Sequence, residues 1–394
     1  MGYHYASRDD VLCTPAAVIA FAWSAPMRDL AARVGLSDVG LKKLLVGYGI
    51  PTPPQGHWNK VAAGKAVQTP PPAPPRAPGQ HPLLRLGARF AGEVEAADPL
   101  PPDGPFPSPI VPDDLEELRR LQLRKIGKVA APRDLKSPHA AIRAILARDE
   151  KYRAAKANDR WAFHSPEFDD PLYLRRLRIL NGLLTALGRA GHPATVNARE
   201  RDLDVSVWIG STRVSIYVGL PADRRARQYH QPVSPLAGKP TSTKLRLTIA
   251  GDVQTDGIET WVDTDGSKIE QRLTEIAAAM VVEGERSFRR GVRARYDADV
   301  EWQRYQEEER ARKRVVANAE RLKQLRLLSA ELNDAGLIRA MIAQVKMALD
   351  ASVAGAITSE EFDGWYSWAT AEADRIDPIK SGKIVDHVRG ASEK

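Results

Sequence analysis

Two proline-rich runs constrain this chain more than any other feature. Residues 69–78 read TPPPAPPRAP and residues 100–112 read LPPDGPFPSPIVP. Proline lacks a backbone donor, fixes φ and restricts the residue before it, so neither a helix nor an inner strand can run through these stretches. Regular structure must form on either side. The expected fold is mainly α with a small α+β domain, in four parts. Residues 1–66 form a helical module, 67–112 an extended spacer, 113–282 an α+β domain, and 283–394 a long charged helix with C-terminal helices. A spacer whose backbone bonds to water is where limited proteolysis should cut. Residues 83–90 interrupt the prolines with apolar side chains and read as a short strand or helix that docks elsewhere.

The N-terminal module reads as a helix-turn-helix. Leu30 and Val34 lie one turn apart and face inward, and small Ala31 lets a second helix cross closely. Gly35 supplies the left-handed geometry that ends a helix, and Leu36 follows it. Ser37 is a good N-cap for the next helix, with Leu41 and Leu44 as its buried stripe. Ser37, Asp38, Val39, Lys42, Lys43 and Val46 then form the exposed face, the one that enters a major groove when such a unit binds DNA. The alternative is a helical hairpin that packs on its own domain or on a partner protein. Residues 7–23 read as a preceding helix that adds Val18, Ile19 and Phe21 to the core; Pro15 suits a first turn better than an interior, which would move its start to Thr14. Residues 50–58, IPTPPQGHW, read as a non-helical strap leading to Lys60 and Lys65. Trp58, Lys60 and Lys65 would follow a phosphate backbone or a minor groove, or Trp58 would pack back onto the helices.

Residues 23–65 also resemble an uncharacterised bacterial family with an N-terminal helix-turn-helix. The shared pattern is W-S-x-P-M-x-x-L-A, G-x-S-D-V-x-L-x-K, and I-P-x-P-P-x-G-[aromatic]-W-x-K-x-x-x-G-K. Trp23, Ser24, Pro26, Met27, Leu30 and Ala31 carry its first part, and Gly35, Ser37, Asp38, Val39, Leu41 and Lys43 its second. Ile50, Pro51, Pro53, Pro54, Gly56, Trp58, Lys60, Gly64 and Lys65 carry the third, with His57 at the aromatic position. Residues 368–378, WATAEADRIDP, resemble the same family's C-terminal end through their ADRxDP motif. The resemblance implies DNA binding and no reaction.

Beyond the prolines, residues 113–128 predict a helix striped by Leu115, Leu118 and Leu121, and residues 140–156 another. Residues 171–187 predict a third, with Leu174, Leu177, Leu180, Leu184 and Leu187 on one face and Arg175, Arg176 and Arg178 off it. Those arginines read as a solvated basic face or as phosphate ligands. The period then changes to two over residues 203–209, 213–220 and 244–250, with a shorter strand at 260–263 and a hairpin turn at Gly210 and Ser211. An antiparallel sheet covered on one face follows. Residues 222–239 read as a long basic loop carrying Arg224, Arg225 and Arg227.

From Ser267 the helical period returns and holds to about Leu332. Ile269, Leu273, Ile276 and Met280 bury its start, Phe288, Val292, Tyr296, Val300 and Trp302 form a thin apolar stripe, and Gly284 and Gly291 are positions where it would bend. Leu322, Leu325, Leu328 and Leu332 resume an apolar seam suited to a coiled coil, and so to a homodimer or a partner protein. Residues 337–349 and 359–375 predict two terminal helices. Phe362, Trp365, Tyr366 and Trp368 would pack against the far end of the long helix.

Composition narrows the function. Hydrophobic residues make up 43% of the 394, enough for a buried core, and the net charge of +8 suits a polyanionic partner such as double-stranded DNA. Cys13 is the single cysteine, which excludes an internal disulfide or a cysteine zinc site. The N-terminus has no signal-peptide pattern, and the apolar residues 12–23 contain Pro15 and are too short to span a bilayer, so a cytoplasmic protein is expected. No phosphate-binding glycine loop or dinucleotide fingerprint occurs, and the histidines share no metal-ligand spacing. Asp252, Asp256, Asp263 and Asp265 are the richest acidic cluster; a two-metal nuclease would use Asp252 and Asp263 with Lys268, whereas strand ends and turns account for them equally. The expected function is transcriptional regulation through DNA binding, without an enzymatic activity, cofactor or metal. The alternatives are a DNA-binding adaptor of a mobile-element or defence system, and a metal-dependent nuclease.

Overall fold

A computed structural model describes residues 10–106, 108–159, 161, 163–164, 166–199, 202–222, 236, 238–251, 259–351 and 357–392. The expected basic loop positions Arg224, Arg225 and Arg227, and the aspartates Asp252 and Asp256, lie outside them. The chain divides into two compact units, Met1–Tyr296 and Asp297–Lys394.

The first unit opens with β1 (Val11–Cys13), α1 (Pro15–Ala22), α2 (Met27–Arg33), α3 (Asp38–Gly47), α4 (His57–Ala62) and β2 (Leu84–Leu86). Helix α1 starts where its sequence directs, because the Thr14 hydroxyl accepts from the Ala17 N–H and Pro15 occupies the first turn. Val18, Ile19, Phe21, Leu30, Ala31, Val34, Leu41 and Leu45 share one core. Leu44 is only partly buried, so the inward stripe of α3 is Leu41 and Leu45. Residues 50–54 are non-helical as their prolines require, but the helix of α4 begins at His57, within the segment expected to be a strap.

The proline-rich residues are extended without being free. Strand β2 pairs antiparallel with β1, Leu12 opposite Arg85. Phe90 and Val94 enter the core of the N-terminal helices. Ahead of β2, the Gly79 carbonyl accepts from Ser211 N–H and from the Thr212 hydroxyl, each at 3.0 Å. Phe106 packs edge-on to Phe288, and Val111 is buried with Leu118 and Val282. A proline run satisfies few of its own backbone groups, so it makes a good strap wherever other elements supply the partners.

Next come α5 (Leu115–Ile126), α6 (Ala140–Asn158) and α7 (Pro171–Arg189). On α5 the buried residues are Leu118 and Gln122, and Leu121 faces water. Helix α7 is buried nearly all round, Arg175 and Arg176 included, so the expected solvated basic face does not exist there. A five-stranded antiparallel sheet follows, β3 (Ala194–Arg199), β4 (Asp202–Ile209), β5 (Thr212–Gly219), β6 (Arg246–Gly251) and β7 (Thr260–Val262), in sequential order. Strand β3 is absent from the sequence reading because ATVNAR alternates only weakly. Val205, Val207, Val214, Ile216, Val218, Leu247 and Ile249 are buried in the main core with α7, and their register, Val205 opposite Ile216 and Ile216 opposite Ile249, places them on one face.

After a 3₁₀ turn at Ile269–Gln271, α8 runs over Leu273–Asp350 as one helix of 78 residues. It therefore absorbs residues 337–349, expected as a separate helix, and passes through Gly284 and Gly291 unbroken. Leu273, Ile276 and Met280 belong to the main core, and Phe288 and Val292 pack with Phe106. In the second unit α9 (Ser359–Ile376) and α10 (Lys383–Ser392) follow. Of the α9 aromatics, Trp368 is 64% exposed; Ala369 and Ala373 are the buried residues instead.

Candidate nucleic-acid interface

Helices α2 and α3 are joined by a tight turn built from backbone bonds. Gly35 N–H donates to Ala32 O at 3.3 Å and Leu36 N–H to Ala31 O at 2.9 Å, with Gly35 at φ 62°. That pair of bonds closes a helix only when its glycine takes the left-handed conformation, which a Cβ would penalise. One residue later the Ser37 hydroxyl accepts from Gly40 N–H at 3.1 Å and starts α3. The Asp38 carboxylate accepts from Val39 N–H at 2.8 Å, so it spends one oxygen on the helix start. Trp23 ties the far side together, its indole N–H donating to Pro51 O at 2.9 Å.

With Leu41 and Leu45 turned inward, all six residues of the expected contact face are exposed: Ser37, Asp38, Val39, Lys42, Lys43 and Val46. Val39 and Val46 are 57% and 61% exposed, unusual for β-branched apolar side chains on one short helix. At about 100° per residue, Val39, Lys42, Lys43 and Val46 fall within roughly a 100° arc. Neither lysine takes part in an ion pair among the described residues, so the face is positive and apolar at once.

The other expected contacts are arranged differently. Trp58 is half-buried on α4 and meets His57 edge-on at 5.1 Å, while His57 itself is buried and meets Trp23 at 5.3 Å. Trp58 thus packs back toward the helices. Lys60 and Lys65 are exposed. Beside them, Met27, Pro53, Pro54 and Trp58 line an open cleft of about 250 Å³.

What holds this module is not local in the sequence. Tyr48, just after α3, donates its hydroxyl proton to Arg85 O at 2.7 Å, and Arg33 of α2 pairs with Glu93. Burial, then Asp10 and Cys13, raises the Tyr48 pKa, so the phenol stays a donor. Burial likewise pushes the Cys13 thiol up to about 11, which leaves it a packing group. The signal was present as the apolar island at residues 83–90.

The second unit accounts for the C-terminal motif. Arg339 on α8 pairs with Asp374 and Asp377, each at 2.8 Å, and Lys380 also reaches Asp374. Asp377 accepts from Ile379 N–H at 2.9 Å, and that bond with the Arg339 pairing holds its carboxyl below the ordinary range. The motif fastens α9 to α8.

Of the acidic cluster, Asp263 is likewise built into the frame. Asp263 is 2% exposed; one oxygen accepts from Ile269 N–H at 2.8 Å, and the other from Leu245 N–H at 3.0 Å and from Arg175 at 2.8 Å. Asp265 is exposed and pairs with Lys244. Among the described residues no group of three or more His, Cys, Asp or Glu side chains is placed to hold a metal ion, and no helix is long and apolar enough to cross a membrane.

Compared with known proteins, the chain matches no family model, no curated protein and no solved structure. The family resemblance therefore rests on the motif residues alone.

Proposed function

We propose that α2 and α3 form a helix-turn-helix that binds double-stranded DNA, and that the protein is a cytoplasmic transcriptional regulator. The observation that carries this reading is the α3 surface: two lysines that pair with no carboxylate among the described residues flank two exposed valines on one arc. A lysine pair neutralises phosphates or reads guanine, and valine methyl groups suit a thymine methyl. Ser37 and Asp38 stand at the start of α3, where a recognition helix meets base edges. Asp38 keeps one oxygen for a cytosine amine. Lys60 and Lys65 extend the positive surface beyond α4, with Trp58 positioning that helix.

The test is a salt titration of DNA affinity. If Lys42 and Lys43 each neutralise a phosphate, the Lys42→Ala/Lys43→Ala variant flattens the slope of log affinity against log salt by about 2. If one reads a guanine, the change is nearer 1, with about 1–3 kcal/mol of discrimination lost at one base pair. An unchanged affinity and slope in the folded variant would remove α3 from DNA and make the adaptor reading the better one. The nuclease reading has little support, because Asp263 is fully occupied as a buried structural carboxylate.

A further inference from the structure

Within the second unit the described residues leave an apolar seam of α8 exposed. Leu322, Leu325 and Leu332 are 49%, 48% and 41% exposed. Their spacing is that of alternating core positions of a heptad, so on a helix they form one stripe. The charges beside the stripe decide what can lie on it. In that register the flanking positions nearest the seam hold Arg314, Arg321 and Arg326, all exposed, and positions 319, 328 and 333 hold uncharged residues. None of the three arginines takes part in an ion pair among the described residues. The nearby carboxylates are directed elsewhere: Glu309 pairs with Arg312, and Glu320 with Lys323.

This pattern opposes self-pairing. In a parallel pair of identical helices Arg321 would face Arg326 of the second copy. In an antiparallel pair with the leucines overlaid, the Arg326 flank meets itself, arginine against arginine. Either arrangement puts like charges against each other beside the leucines. DNA would satisfy the arginines but leave the leucines facing water.

We infer that this surface of α8 docks an amphipathic helix of another protein, apolar on its buried stripe and acidic on both flanks. Leucine burial supplies affinity, and the three arginines select the partner's carboxylates and reject a second copy. The expected homodimer through this helix gives way to a heterotypic pair. The inference does not depend on DNA binding by α3.

Two labelled synthetic helices of about 28 residues test it, identical except for glutamate or lysine at every flanking position, with leucine throughout the core. Fluorescence anisotropy is measured with the full chain. The glutamate helix binds, more weakly as salt rises, and the lysine helix does not. Arg321→Glu/Arg326→Glu, at two exposed positions whose helicity circular dichroism confirms, weakens the glutamate helix on the order of tenfold and admits the lysine helix. Lys42→Ala/Lys43→Ala leaves both results unchanged, which separates this surface from the DNA reading. Three results overturn the inference. In one, both helices bind alike or neither binds. In another, light scattering shows a dimer at tens of micromolar that Leu325→Gln abolishes. In the third, the arginine reversal lowers DNA affinity while leaving the glutamate helix unaffected.

Discussion

At the scale of single residues, Arg175 and Asp263 show how charge is buried among several hydrogen-bond partners. Arg175 donates to Glu270 at 2.7 and 2.8 Å, to Thr243 O at 3.0 Å and to Asp263 at 2.8 Å. Removing one partner from a buried pair strands the other, which costs about 3–5 kcal/mol, whereas an exposed pair is worth about 0–1 kcal/mol. Asp263→Asn is therefore expected to lower stability in urea near the bottom of that first range, since Glu270 remains. Asp265→Asn, at an exposed pair, should leave it nearly unchanged. Equal effects of the two would show that Asp263 is not a structural carboxylate. His192 offers a pH test. Burial, with Lys125 nearby, lowers its pKa from 6.5 to about 4. A depressed histidine is neutral in both states above the unfolded value and takes its proton first in the unfolded chain as pH falls. Stability is thus lost between about pH 6.5 and 4, by about 3 kcal/mol. His192→Gln should flatten that limb of the stability curve and leave the neutral limb in place.

At the scale of elements, contact decides what local propensity leaves open. Glycine in a helix interior costs about 1 kcal/mol against alanine and invites a bend, yet α8 passes through both Gly284 and Gly291. A Cβ at Gly284 would stand 2.4 Å from Ile209 Cβ, while one at Gly291 meets nothing within 4 Å. The first glycine is the notch that lets α8 lie on β4. Gly284→Ala should lower the melting temperature through a cost of about 1–3 kcal/mol in overpacking. Gly291→Ala should raise it through a gain of about 0.5–1 kcal/mol in helix propensity. The same sign for both would mean that α8 can shift on the sheet without loss. Helix α7 makes the complementary point. Its leucines predicted a one-sided helix, but α8, the sheet and the segment before α6 enclose it, so its arginines had to find partners inside.

At the scale of the whole molecule, the proline-rich segment binds the first unit together. Arg76 reaches Glu285 on α8 through two bonds of 2.8 and 2.9 Å, Gly79 N–H donates to the same carboxylate at 2.9 Å, and Arg289 adds a further bond at 2.9 Å. The Glu285 side chain is 0% exposed and that of Arg76 7%. Trypsin needs an extended, accessible arginine, so the intact chain should resist cleavage after Arg76. Glu285→Gln removes the charge that three donors share and should open that site while cleavage in exposed stretches proceeds as before. Rapid cutting after Arg76 in the unmodified protein would restore the free spacer expected from the prolines.

The N-terminal helices, their glycine turn and serine cap, the sheet's alternating strands and the start of the long helix were all determined by the sequence. In each, a short periodic pattern and its capping residues specify local backbone geometry without reference to anything distant. The exposed face of α3 was legible for the same reason, since Leu41 and its neighbours settle which side turns inward. Three things were decided only by tertiary structure: the packed strap, the buried charges of α7 and the full extent of α8. Arg76 and Glu285 stand 209 positions apart, and nothing local in either sequence neighbourhood announces the other. Prolines specify an extended backbone, but whether it meets water or protein depends on which carboxylates and carbonyls the rest of the fold brings to it.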